Sequence, residues 1–162
     1  MGVAFLTTSG RTGIAAAIKT RTAHLAWGSG NPAWTSTPPD PPANTSSLLA
    51  EVGRRKVLQV EFCTPDSAGA IVVPEGTFSI TSTPTNSLYY KFHFDFEDGV
   101  GSTIRELAIY IDTVAAVGVP VGQLYLSPAQ VAQPGFLLVA ERRAPLVREA
   151  TTRHMFEYVV TF

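Results

Sequence analysis

From Tyr89 to Glu97 the chain alternates without a break. Tyr90, Phe92, Phe94 and Phe96 are separated by Lys91, His93 and Asp95, and flanked by Tyr89 and Glu97. A period of two belongs to an antiparallel strand with one buried face, and a helix would scatter these rings around its axis. The pattern predicts that the four rings enter the core and that Tyr89, Lys91, His93, Asp95 and Glu97 face water. Asp98-Gly99 ends the strand, and Thr103 to Ile111 supplies another. Shorter β segments are expected over Ala23 to Trp27, Lys56 to Cys63, Ile71 to Val73, Thr77 to Thr81, Phe136 to Ala140 and Phe156 to Phe162.

Helical signals are few. Thr8 or Ser9 can cap a helix whose body is Ala15-Ala16-Ala17-Ile18-Lys19, with Ile14 and Ile18 on one face and Lys19 suiting the dipole. Gly10 and Gly13 shorten it, and Ser46 to Glu51 supports one further helical turn. No internal repeat, heptad run or collagen-like glycine period is present. These signals predict a mainly β (α+β) fold: an antiparallel β-sandwich or small barrel with one short amino-terminal helix. The 162 residues fit a single domain, 1–162, large enough to bury roughly two thirds of the surface its unfolded form exposes.

Two segments stand outside this pattern. Residues 31–47 form a Pro-rich loop, in which Pro32, Pro38, Pro39, Pro41 and Pro42 withhold ladder donors and favour extended conformations. A loop of that length is uncommon unless it has a role. Trp34 lies inside it, either pinning the loop on its own domain or docking on a neighbour. Residues 112–135 form an irregular extension with Pro120, Pro128 and Pro134.

Charge limits the partners. The net charge is −1, and the arginines are dispersed apart from Arg54-Arg55-Lys56 and Arg142-Arg143. A nucleic-acid binder usually carries a basic stripe and a high pI, so no nucleic-acid partner is expected. The longest apolar run, Val114 to Val121, contains Pro120 and is far too short to cross a membrane, so no membrane partner is expected either. No basic-then-apolar leader opens the chain, which predicts a soluble protein made in a cytoplasm and gives the Asn44-Thr45-Ser46 sequon no weight. Cys63 alone cannot form an internal disulfide, and its alternating apolar surroundings predict a buried, inert thiol.

Candidate chemistry fails on geometry. His93, Asp95 and Glu97 share a strand face, but His93 and Glu97 would lie about 13 Å apart and Lys91 repels a cation on the same face. Phe62-Cys63-Thr64-Pro65 lacks the helix start that activates a thiol, so pairing Cys63 with His93 or His154 has no local support. Gly28-Ser29-Gly30 leads into proline and tryptophan rather than a helix, and no serine sits in a Gly-x-Ser-x-Gly turn. Arg105 and Glu106 point to opposite faces, and the inward one needs a partner, for which an internal ion pair is expected. No catalytic residue, metal ligand or cofactor is expected, and the chain reads as a non-enzyme.

Several short motifs occur in a telling order: Leu6-Thr7-Thr8-Ser9-Gly10, Ala26-Trp27-Gly28-Ser29-Gly30, Leu49-Ala50-Glu51-Val52-Gly53-Arg54-Arg55, and Ile104-Arg105-Glu106-Leu107-Ala108-Ile109-Tyr110. Over residues 5–111 this order resembles the amino-terminal attachment domain of phage tail-collar fibres and related baseplate proteins. The resemblance implies structural roles for Gly10, Gly28, Gly30, Glu51, Arg54, Arg105 and Glu106. It also implies a virion structural protein of the tail or baseplate, synthesised in the host cytoplasm and present in many copies in a symmetric assembly. Its partners would be other tail and baseplate proteins, met through the Pro-rich loop at Trp34, Pro38, Pro39, Pro41 and Pro42. Ser29 stands where the family often has an acidic residue, the loop is longer, and residues 112–162 have no match. No shaft sequence follows, which favours an adaptor linking tail parts or attaching fibres over a receptor-binding fibre. The alternative is a small carbohydrate- or ligand-binding β module, with Trp27, Trp34 and Tyr89 exposed as a stacking surface.

Overall fold

The computed structural model describes residues 2–162. The fold is mainly β, with one α-helix and antiparallel sheets, as the alternating pattern predicts. In chain order the elements are α1 (Thr8–Lys19), β1 (Ala23–Gly28), β2 (Glu51–Lys56), β3 (Gln59–Pro65), β4 (Ile71–Val73), β5 (Gly76–Thr81), β6 (Ser87–Phe94) and β7 (Thr103–Ile111). The short β8 (Val114–Ala115), β9 (Tyr125–Leu126) and β10 (Val131–Gln133) follow, then β11 (Phe136–Val147) and β12 (His154–Thr161). One five-stranded sheet runs β12-β6-β3-β5-β4, another runs β11-β7-β1-β2-β9, and β8 pairs with β10. The chain separates into two compact units.

The first unit comprises the chain up to Arg21, Leu58–Phe92 and Phe156–Phe162. Its core gathers Cys63, Ile71, Val73, Phe78, Tyr89 and Val159. Tyr89 is thus buried rather than solvated. Phe78 and Val159 cover that face of β6, and the phenol donates a 2.6 Å hydrogen bond to Glu157. The opposite face holds Tyr90 and Phe92, stacked in near-parallel planes, so β6 is apolar on both sides at its start. Thr7 rather than Thr8 or Ser9 caps α1, accepting from the Gly10 amide at 3.1 Å. The helix face differs from the Ile14–Ile18 expectation: Ala15 is its buried residue, Ile14 is exposed, and Lys19 reaches Glu61 at 3.3 Å.

The second unit comprises Thr22–Val57 and His93–Met155. Its central strand β1 is buried along its whole length, as a strand covered on both faces must be. On one face Trp27 stacks on Phe94 with ring centroids 3.6 Å apart and donates its indole N–H to the Tyr125 hydroxyl at 3.2 Å. Gly53 and Gly99 leave room for these rings, since a Cβ at either would overlap Tyr125 or Trp27. Arg148, also buried, closes this layer by donating to the carbonyls of Asp95, Asp98 and Thr152. The strand ends at Phe94 because the Asp98 carboxylate takes the Asp95 amide and turns the chain. Phe96 therefore leaves the core it was expected to join: it lies in that turn, 39% exposed, beneath the Arg153 guanidinium.

Candidate assembly interface

On its other face the β1 sheet carries Gly28, Arg54 and Glu106, three of the residues implied by the motif order. Glu106 faces Gly28 across the β1–β7 ladder and is almost fully buried. Its two carboxylate oxygens accept the amides of Leu49 and Ala50 at 3.1 and 2.9 Å, while the Ala50 carbonyl takes the Ser29 amide at 2.8 Å. The buried acid is thus satisfied by backbone rather than by the expected ion pair. Arg105, on the other side of the strand, instead donates to the Ser29 carbonyl at 3.2 Å. Gly28 has to be glycine here, because a Cβ would overlap the Glu106 side chain and stand 2.7 Å from the Ala50 carbonyl. A carboxylate receiving two amides orders the end of the Pro-rich loop that leads into β2.

The other end of that loop is fixed by Gly30, whose positive φ of 58° turns the chain and whose Cα faces the Trp34 ring. Trp34 is half-buried, with the Arg142 guanidinium 4.3 Å from its ring centre. The same Arg142 donates to the carbonyls of Pro39 and Asp40, both at 3.1 Å. Trp34 therefore packs on its own unit, and Pro39, Pro42 and their neighbours form an exposed strap held down by Arg142. Pro38 and Pro41 are half-buried within it. Beneath the strap lies a groove of about 400 Å³, lined by Pro41, Pro42, Ser46, Leu48, Glu106 and Arg142 among others.

Glu51 and Arg54 come together in a way spacing did not reveal. Instead of a helical turn ending at Glu51, β2 begins there, and the Glu51 carboxylate takes both Nε and Nη2 of Arg54, at 2.8 and 2.7 Å. The buried guanidinium also donates Nη1 to the Thr113 hydroxyl and the Pro134 carbonyl, both at 2.8 Å, and lies 4.3 Å above the Tyr110 ring. Arg54 thereby ties together, at Thr113 and Pro134, the two ends of the 112–135 extension. Burial, followed by the charges of Arg54 and Lys56, pulls the nearby His24 down to about 4. Gly10, by contrast, sits at the α1 start in the first unit, where a Cβ would stand 2.9 Å from Leu6 Cδ1.

Residues 113–134 form a flap that no sequence motif announced. Two tandem turns build its tip, closed by Val119 N–H to Ala116 and Gln123 N–H to Pro120, with Gly118 and Gly122 at φ of 91° and 92°. Those angles at the third position define type II turns, whose second residues project outward. Here they are Val117 and Val121, both wholly exposed. The available clue was the absence of any Asp, Glu, Lys or Arg from Thr113 to Ala140.

The stacking surface of the alternative reading is not formed, because Trp27 and Tyr89 are buried and only Trp34 is partly accessible. Among the described residues no group of three His, Cys, Asp or Glu side chains could hold a metal ion, and Asp95 is paired with Arg153 at 2.8 Å. Among the same residues no helix is long and apolar enough to cross a membrane.

The second unit is thus an antiparallel β scaffold whose buried charges hold a strap and a flap in place. The chain belongs to the family described as baseplate wedge 3 tail fiber network component, whose model matches residues 3–162. It is a phage structural protein of the baseplate, in line with the sequence resemblance, and the match extends over the carboxy-terminal third that the motifs left unassigned. No curated protein matches the chain.

Proposed function

We propose that this baseplate component is an adaptor that links tail parts or attaches tail fibres through protein–protein contacts alone, without catalysis. The strap at Trp34, Pro38, Pro39, Pro41 and Pro42 is its contact surface, and it acts in many copies within a symmetric assembly. The observation that carries this reading is the anchoring of the strap by Arg142 and of its far end by Glu106. Proline-rich backbone held in this way loses little freedom on docking, so a contact there is not weakened by ordering. The motif residues Gly28, Gly30, Arg105 and Glu106 act by shaping this strap, and Glu51 and Arg54 by fixing the flap base. Arg54, Arg55, Arg142 and Arg148 are each held by internal partners, which leaves few free cations among the described residues and supports an adaptor that meets neither nucleic acid nor membrane. Synthesis in the host cytoplasm and incorporation into the virion complete the proposal.

The test replaces residues 38–42 with a Gly-Ser segment of equal length, keeping the chain closed. Thermal stability should change little, since the strap's bonds to Arg142 are solvent-exposed, while incorporation into particles should be lost. Normal incorporation of the replaced chain would refute the adaptor role of the strap.

A further inference from the structure

The β7–β11 pair gives the second unit two distinct ends. At one end Ile111 faces Phe136, and the flap departs from there; at the other Thr103 faces Val147. The nine residues of β7 separate these ends by roughly 27 Å. Next to the Thr103 end, Gly101 and Ser102 bond to Arg148, and the turns on either side enclose an open hollow of about 700 Å³. Phe96, Glu97, Val100, Ala150 and Thr151 line it. Phe96 and Val100 are 39% and 48% exposed.

At the flap end the chemistry is complementary. Val117 and Val121 stand fully exposed on two hydrogen-bonded turns, within a stretch free of charge from Thr113 to Ala140. The base of that stretch is pinned by Arg54, and Lys56 N–H bonds Leu124 to the edge of β2. An apolar tip held this firmly is preorganised for insertion, and exposed apolar groups of this kind mark contact sites. A projecting apolar tip and a receiving apolar hollow at opposite ends of one unit are the two halves of a heterologous contact.

We propose that the flap of one copy seats Val117 and Val121 in the Phe96–Val100–Ala150 hollow of a second copy, joining chains head to tail. The contact is separate from the strap and does not depend on it. Because the two surfaces differ, every bound copy leaves one tip and one hollow free, and growth continues until a ring closes or a partner caps it.

Sedimentation velocity of the purified full chain over increasing concentration tests this. Wild type should form species beyond the dimer. Val117→Asp/Val121→Asp, which spoils only the tip, and Val100→Asp, which spoils only the hollow, should each stay monomeric at every concentration. All three substituted positions are exposed, and circular dichroism of each variant should match wild type. A mixture of the two variants keeps one intact tip and one intact hollow per pair, so it should form dimers and nothing larger. Wild type that stays monomeric, association that survives either variant, or a mixture that stays monomeric would each overturn the proposal.

Discussion

Replacing Glu106 with Ala removes the acceptor of two backbone amides and the side chain that fills the space over Gly28. A hydrogen bond to a charged group contributes about 1.5–3 kcal/mol. Leu49 is exposed, so its amide regains water, whereas the Ala50 amide lies deeper and recovers less. The expected loss is therefore near the lower end for two bonds, about 3 kcal/mol, or roughly 6–12 °C in melting temperature for a chain of this size. Gly28→Ala should destabilise by about 1–3 kcal/mol through overpacking, since its Cβ meets the Glu106 side chain and the Ala50 carbonyl. Combining the two is the sharper measurement. With the carboxylate gone, two of the three nearest atoms to that Cβ disappear, so Gly28→Ala should cost about 1 kcal/mol less in the Glu106→Ala background. Urea unfolding of the four proteins closes the cycle. Additivity within about 0.5 kcal/mol would refute the claim that these residues share one space.

His24 predicts a pH dependence. Its folded value of about 4 lies below the ordinary 6.5, so the native state favours the neutral ring. Stability from this site is complete above pH 6.5, falls as pH drops from 6.5 toward 4, and totals on the order of 3 kcal/mol; His24→Gln should flatten that slope, and an unchanged slope would exclude His24 as its source. Phe94→Ala empties the space against Trp27 and should cost about 3–5 kcal/mol by denaturant titration, with a cost under about 1 kcal/mol contradicting the stacked core. We further propose that 1–162 behaves as a single domain, because the chain passes between its two units four times. Burial pushes the Cys63 thiol up to about 11, so a thiol reagent should label it only on unfolding, at the same denaturant midpoint as the fluorescence of Trp27 and Trp34; separate midpoints would break the proposal.

Local pattern was enough wherever a segment's neighbours share its periodicity. The alternation placed Tyr90, Phe92 and Phe94 inside, and β4 and β7 begin and end where their apolar runs do. Short turn chemistry likewise located α1, within one residue at its cap. Tertiary structure decided the cases in which a charge or a surface needed a distant partner. Glu-Val-Gly-Arg-Arg-Lys carries no strand pattern, yet it is a strand because β1 and β9 flank it and because Thr113 and Pro134 help to satisfy Arg54. Tyr89 is polar by position in its strand but buried, because Phe78 and Val159 arrive from elsewhere in the chain. Glu106 took backbone amides 56 and 57 positions away rather than a cation, and no spacing rule encodes that choice. Strand register and helix caps arise from adjacent residues and are local. The satisfaction of a buried charge is set by which segments the fold brings to it, and only the folded chain contains that information.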